Sequence, residues 1–215
     1  MNQPKKLIQI FSGLLCLGIL CSCNGDSKEK TEKGPVEPVI LKKDKPTPKN
    51  EPSKNAPIIN ITDTIAIRYN VIYIKDSALN SVRLSQKLAQ IYGVKMAEVI
   101  KKNKLKIVGA PMAWYKSQKA PFFFEAGLPV DKKPAKLPKN ILFKKLNGDS
   151  ALVAHYYGPY EETSQAYEAL KDWLKSAKKK STSPPYEIYV GDPIDKNGKP
   201  VDPYKVQTDI VFPHN

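Results

Sequence analysis

Residues 151–190 read ALVAHYYGPYEETSQAYEALKDWLKSAKKKSTSPPYEIYV, and this stretch contains one complete strand-helix-strand unit. A short apolar run ends at a Gly-Pro pair, and two glutamates then open a helix with charge that suits its N-terminal dipole. Apolar residues recur every three or four positions, which predicts one buried helical stripe; they are Ala166, Ala169, Leu170, Trp173, Leu174 and Ala177. After two prolines, YEIYV predicts a strand with Glu187 on the face opposite Tyr186 and Ile188.

Four short motifs in the second half of the chain together resemble a known family. They are HYYGPY at residues 155–160, AYEALKDW at residues 166–173, EIY at residues 187–189 and QTDI at residues 207–210. Their order and spacing are similar to the GyrI-like small-molecule-binding domain, also called the AraC-type or bacterial transcription activator effector-binding domain. The resemblance covers roughly residues 62–215. It implies a domain that binds a small, partly apolar molecule.

The preceding part of the chain shows the same order of elements and predicts the fold class. Residues 65–73 alternate as a strand, and two further strands are predicted at residues 107–115 and 122–130. A helix is predicted between the first of these strands and the second, and Gly93 suits its end. Its apolar stripe is Val82, Leu84, Leu88, Ile91 and Tyr92. We therefore expect an α+β fold in which duplicated β-α-β-β units form one antiparallel sheet. Two helices should cover one face and leave a concave ligand-binding face on the other.

Length and charge limit the possible functions. With 215 residues, one domain of about 150 residues plus extra segments is expected. The formal net charge is +14, but lysines are spread along the chain and arginine occurs only at Arg68 and Arg83. Sequence-specific binding to nucleic acid relies on Arg and on clustered phosphate contacts. Since no helix-turn-helix is predicted before the domain either, we expect no nucleic-acid partner.

The first 23 residues predict a bacterial lipoprotein signal peptide. Two lysines precede an apolar run at residues 7–20, which is short for a membrane span of about 20 residues. The sequence LCSC at residues 20–23 resembles a lipobox, in which the last Cys is lipidated and becomes the new N-terminus. The spacing makes Cys23 the acceptor of the acyl chains. A plain signal peptide or a short membrane anchor is the alternative.

The composition changes abruptly after the signal segment. Residues 24–60 are rich in Lys and Pro and predict a disordered, extended tether, so the folded domain is expected over residues 61–215. All three cysteines lie in the first 23 residues, which predicts no disulfide and no Cys-based metal site in the domain. We expect no cofactor. The predicted location is the bacterial cell envelope, with the membrane and its side left open.

A lone acid among aromatic residues is the candidate site. Burying a carboxylate costs free energy unless a cation or a hydrogen-bond donor reaches it. In the family that this chain resembles, the Glu of the E-x-Y motif lies in the pocket and meets cationic or polar parts of flat ligands. That residue is Glu187 here, expected on the concave face; its predicted ligand-binding neighbours are Tyr189, Tyr157, Trp114, Tyr115, Phe122 and Phe124. The simpler alternative is that Glu187 faces solvent or meets a tyrosine hydroxyl.

The predicted function is capture of a small, partly apolar molecule, with or without a positive charge, by a protein anchored to the membrane through its lipid. Neither histidine has metal-ligand spacing, and no catalytic or metal-binding residue is predicted. Two alternatives remain open. A small-molecule hydrolase would use Glu187 with Tyr157 or Tyr115 to activate water. A protein-interaction module would instead dock an unknown partner chain on the concave sheet.

Overall fold

This computed structural model describes residues 56–215, which contain eight strands and three α-helices. The strands are β1 (Ile58–Ile65), β2 (Tyr69–Ala78), β3 (Met112–Tyr115), β4 (Phe122–Val130), β5 (Leu142–Leu146), β6 (Ser150–Tyr157), β7 (Tyr186–Tyr189) and β8 (Gln207–Pro213). The helices are α1 (Ser81–Gln90), α2 (Met96–Asn103) and α3 (Ser164–Ser176).

All eight strands form one antiparallel sheet in the order β1-β6-β8-β7-β3-β4-β2-β5. The first unit is β2-α1-α2-β3-β4 and the second is β6-α3-β7-β8. Each unit contributes three adjacent strands, and the two halves meet where β3 pairs with β7. The predicted α+β class, with its duplicated units and its antiparallel sheet, is confirmed.

The two outer strands are exchanged between the units. β1 precedes the first unit in the chain but pairs with β6 of the second, whereas β5 precedes the second unit but pairs with β2 of the first. The single strand predicted at residues 65–73 is therefore wrong, because the chain leaves β1 after Ile65 and enters β2 at Tyr69. β1 also begins at Ile58, before the predicted start of the domain at residue 61.

The first helical segment is longer than the sequence pattern predicted. Gly93 does not end the helix, because it lies in a π-helical turn, Ile91–Lys95, that joins α1 to α2. Ile91 and Met96 at the two ends of this turn are both fully buried, so the extra residue of the π turn keeps both on the sheet. The segment ends at Lys104, which has a left-handed φ of 50°. Val82, predicted in the buried stripe, is 66% exposed.

The core has three parts that follow the faces of the sheet. On the helix-covered face, one cluster packs around Leu84 of α1 and a second packs around Leu170 of α3. The third cluster, which includes Val71 and Val211, lies on the face that none of the helices within residues 56–215 covers, called here the open face. Since successive strand residues point to opposite faces, the position of a side chain in its strand decides which cluster it joins.

The segments predicted at residues 1–23 and most of the tether at residues 24–60, including Cys23, lie outside the described residues. Within residues 56–215, no helix has the length and apolar character needed to cross a bilayer.

We expect Leu170→Ala to lower the free energy of unfolding by about 2–5 kcal/mol, because it opens a cavity under α3 where Leu170 is fully buried. Lys175→Ala, on the exposed side of the same helix, should change it by less than about 0.5 kcal/mol. Urea unfolding followed by circular dichroism measures both values. Equal losses in the two variants would contradict the assigned orientation of α3.

Candidate functional site

Glu187 lies at the centre of the sheet, where the two duplicated units meet. It is the second residue of β7, and it pairs with Ala113, the second residue of β3. These are corresponding strands of the two units, so the pair lies on the pseudo-two-fold axis. Glu187 is fully buried and faces the helices, with its hydrogen-bond partner Tyr167 on α3. Its position opposite Tyr186 and Ile188 is confirmed, but the expectation that Glu187 lies on the open face is wrong.

Three tyrosine hydroxyls donate hydrogen bonds to the Glu187 carboxylate. Tyr167 reaches Oε1 at 2.8 Å, and Tyr189 reaches Oε2 at 3.1 Å from its place two residues along β7. Tyr160 also donates to Oε2. The carboxylate therefore has donors on both of its oxygens, which offsets part of the cost of its burial.

A further tyrosine joins this group from the first unit. The hydroxyls of Tyr115 and Tyr189 lie 2.7 Å apart, and those of Tyr160 and Tyr189 lie 3.2 Å apart. Tyr115 and Tyr189 are the last residues of β3 and β7, so they occupy corresponding positions in the two units. The duplication therefore brings two equivalent phenols together beside the single carboxylate.

The local sequence around Pro159 and Pro185 places these side chains. Pro159 directly precedes a 3-10 turn, Tyr160–Glu162, whose first residue delivers its ring to the site. Tyr156 secures this corner because its hydroxyl donates to the carbonyl oxygen of Pro159 at 2.7 Å. Pro185 directly precedes β7 and holds the chain extended as it enters the strand.

Burial dominates the proton affinities in the site. Loss of solvent raises the pKa of Glu187 above its ordinary value of 4.5, and the tyrosine hydrogen bonds only partly oppose that shift. Burial also raises the pKa of Tyr160 and of Tyr189 well above the ordinary value of 10.0, so both phenols stay protonated and donate. Among the ion pairs formed within residues 56–215, none includes Glu187.

A cavity of about 1040 Å³ reaches this group from one end of the sheet. It lies where the loop at residues 116–121 approaches residues 183–185, and it extends onto both faces. On the helix-covered face its wall includes Tyr115, Phe124 and Tyr167. Tyr167 borders the cavity and donates to Glu187 directly, whereas Tyr115 borders the cavity and reaches the carboxylate through the hydroxyl of Tyr189.

The predicted site residues divide between the two faces. Tyr189 and Tyr115 share the hydrogen-bonded group with Glu187, and Phe122 and Phe124 pack in the core cluster under α1 on the same face. Trp114 and Tyr157 do not join them. Trp114 packs in the open-face cluster, and the hydroxyl of Tyr157 donates to Gln207 at 2.8 Å. The pairing of Glu187 with Tyr157 considered for hydrolysis is therefore not assembled.

Sequence reasoning missed Tyr160 and Tyr167 as site residues. Tyr160 ends the HYYGPY motif, and its position after the Gly-Pro break was the available signal. Tyr167 lies three residues before Leu170 and seven before Leu174, both of which are buried on α3, so helical spacing does place it on the buried side. Its hydroxyl could be assigned to Glu187 only once α3 and β7 were known to lie together.

Glu125, on β4, shows the opposite electrostatic environment. It forms ion pairs with Lys144 and, at 3.2 Å, with Lys75. Partial burial raises its pKa, but the two lysines outweigh burial and hold the pKa of Glu125 below its ordinary value. One sheet thus carries an acid satisfied by cations and an acid satisfied by neutral hydroxyls.

The domain is thus a duplicated antiparallel sheet with a cavity at one end and a buried acid at its seam. The family model described as the GyrI-like small molecule binding domain matches residues 68–215, and the chain belongs to this family. A comparison with curated protein sequences finds no match.

Two solved structures of one protein share the fold. The C-terminal domain of EcmrR is 19% identical with a TM-score of 0.60, and the match covers 74% of this chain and 98% of that one. EcmrR in a DNA complex is 19% identical with a TM-score of 0.59; the match covers 74% of this chain but only 57% of that one. At 19% identity these two likenesses support the fold alone. A hydrolase from Listeria innocua is 10% identical with a TM-score of 0.49, and the match covers 73% of this chain and 91% of that one; this likeness is too weak to support an inference.

Replacing Glu187 should change how stability depends on pH. A raised pKa means that the Glu187 contribution is fully present below its unfolded value and is lost as pH rises through the folded pKa. The free energy of unfolding of the wild type, minus that of Glu187→Gln, should therefore fall as the pH rises above the ordinary value of 4.5. Urea unfolding at a series of pH values measures this difference.

Glu125→Gln is the matched control for this experiment, because the pKa of Glu125 is lowered. Its contribution is present above the unfolded value and is lost as pH falls, so the corresponding difference should rise with pH. The same sign of slope for both variants would contradict the assigned environments.

Proposed function

We propose that this domain binds a flat, partly apolar cation and that Glu187 selects its charge. The observation that carries the proposal is a fully buried carboxylate with three phenol donors and no ion pair within residues 56–215. By contrast, Asp76 on β2 and Glu125 on β4 are only partly buried, and each has a lysine partner. A cationic ligand would supply Glu187 with the charge that the protein does not.

The surroundings of the acid suit an aromatic cation. Tyr115 and Phe124 form part of the cavity wall, and their ring centroids are 6.2 Å apart. Aromatic faces attract cations by up to about 2 kcal/mol in a site without water. We infer that the ligand enters from the end of the sheet and that its rings pack on these side chains. Its positive charge would then contact the Glu187 carboxylate in place of the Tyr167 hydroxyl.

The affinity for a permanent cation should increase with pH as Glu187 loses its proton, because a neutral carboxyl group offers little attraction. We expect Glu187→Gln to weaken binding of N-methylquinolinium by about tenfold or more and to remove this pH dependence. Binding of its neutral isostere, 1-methylnaphthalene, should change by less than about twofold. Isothermal titration calorimetry of the wild type and the variant measures both ligands.

The control variant is Glu98→Gln, which removes an acid from the exposed side of α2. It should leave both affinities unchanged. Equal losses for the cation and the neutral isostere in Glu187→Gln would argue against charge selection and would leave only apolar capture.

We also propose that the domain is held at the bacterial envelope by acyl chains on Cys23. The support is the sequence of residues 1–23, with its lysines, apolar run and LCSC motif, and the Lys/Pro-rich composition that follows. Because one acyl chain binds a membrane only marginally, several chains on one residue would be needed for stable anchoring. The tether would then hold the ligand site away from the bilayer surface.

Cys23→Ser in the full chain should abolish incorporation of labelled palmitate in a bacterial host and release the protein from the membrane fraction. Cys21→Ser, two residues earlier, should keep both properties. Mass spectrometry of the mature N-terminus is the decisive measurement, because it shows which residue carries the acyl chains. A lipidated Cys23→Ser variant would disprove the assignment.

A further inference from the structure

A lysine side chain occupies an aromatic site on the open face of the sheet, away from Glu187. The Nζ atom of Lys144 lies 3.8 Å from the centroid of the Trp114 ring and 4.2 Å from that of Tyr73. The same ammonium group forms an ion pair with Glu125. Two aromatic faces and one carboxylate thus surround a single cation, which is the set of groups that recognises organic ammonium ions.

The Trp114 ring is fixed in this position by its neighbours. Gly127 on β4 has no side chain, and a Cβ atom there would lie 2.7 Å from Val71 Cγ1 and 3.0 Å from the Trp114 ring. The indole therefore fills the space that any other residue at position 127 would take. On its other side Trp114 packs against Tyr186, with ring centroids 5.4 Å apart. The aromatic surface is built by the sheet itself and does not depend on Lys144.

Lys144, by contrast, comes from a peripheral element. It lies on β5, a five-residue strand at the edge of the described sheet, where it pairs with β2. The cavity of about 1040 Å³ extends onto this face, and its wall includes Lys144, Trp114, Glu125 and Tyr186. Space for a ligand therefore adjoins the ammonium group, and only the Lys144 side chain has to swing away to leave the aromatic faces free.

We propose that Trp114, Tyr73 and Glu125 form a second ligand site, for small quaternary or alkyl ammonium ions, and that Lys144 acts as its internal competitor. An external cation binds by replacing the ammonium group of Lys144. The cavity adjoins both sites, but this one lies on the opposite face of the sheet from Glu187 and shares no ligand-contacting residue with it, so it does not rest on the function proposed above.

The charges around Glu125 favour a quaternary ligand in this site. Lys75 also pairs with Glu125, at 3.2 Å, so the carboxylate stays partly neutralised after Lys144 leaves. The aromatic faces must then provide most of the attraction. A quaternary ammonium ion suits this arrangement because it donates no hydrogen bonds and is recognised mainly by aromatic rings.

Lys144→Met tests the proposal, because methionine keeps an apolar side chain of similar length and removes the competing charge. Tetramethylammonium should bind this variant at least about tenfold more tightly than it binds the wild type. The readout is the indole N–H resonance of Trp114, with that of Trp173, the other tryptophan of the chain, as internal reference. Adding Trp114→Leu to Lys144→Met should abolish the gain.

Lys145→Met is the matched control, since it removes the same charge from the next residue of β5, which points to the other face. It should bind tetramethylammonium as weakly as the wild type, and Lys144→Arg should do the same because it keeps a cation in place. An equal gain in Lys145→Met would reduce the effect to net charge and overturn the proposal. No gain in Lys144→Met would also overturn it.

Should Lys144→Met fail to fold, the wild-type protein provides the test. Tetramethylammonium must then displace Lys144, and this exchange should appear as a saturable shift of the Trp114 resonance with no shift at Trp173. Absence of that shift at the highest soluble concentration overturns the proposal. Glu187→Gln should leave this binding unchanged, so failure here and failure of the Glu187 site are distinguishable.

Discussion

The pairing of Ala113 with Glu187 is the constraint on which the arrangement of the site depends. It lies in the β3–β7 seam, where the two duplicated units meet strand to strand. One unit contributes a methyl group there and the other a carboxylate, so the pseudo-symmetric sheet carries one acid at its axis. Because that acid is fully buried, hydrogen-bond donors have to converge on it from the surrounding elements.

The groups that satisfy an acid are neutral hydroxyls on one face of the sheet and cations on the other. Under the helices, tyrosine hydroxyls satisfy Glu187 and burial keeps its pKa high. On the open face, lysines satisfy Glu125 and keep its pKa low. A cation brought to the first acid adds charge where there is none, whereas a cation brought to the second must compete with Lys144. Both environments combine an acid with aromatic faces, but in the described part of the chain the acid is paired with a cation only on the open face.

Much of the fold could be predicted from local pattern. The apolar stripe of α3, the alternation in β7 and the repeated order of elements are short-range signals, and the structure confirms the α+β class that they predicted. The errors occur where tertiary contacts override local pattern. Gly93 continues a helix because burial of Ile91 and Met96 on both sides favours a π turn. The strand predicted at residues 65–73 divides because β1 pairs with the other half of the sheet.

By itself, the sequence determined that Glu187 is an acid among aromatic residues and that it points away from Tyr186, because side-chain alternation is a property of any strand. Only the tertiary structure decided which face that is and which rings share it. The reason is that contacts across a sheet depend on strand order, and here β7 lies between β3 and β8, beneath the helix that carries Tyr167. Trp114 and Tyr157 are just as aromatic, but their strand positions direct them to the opposite face.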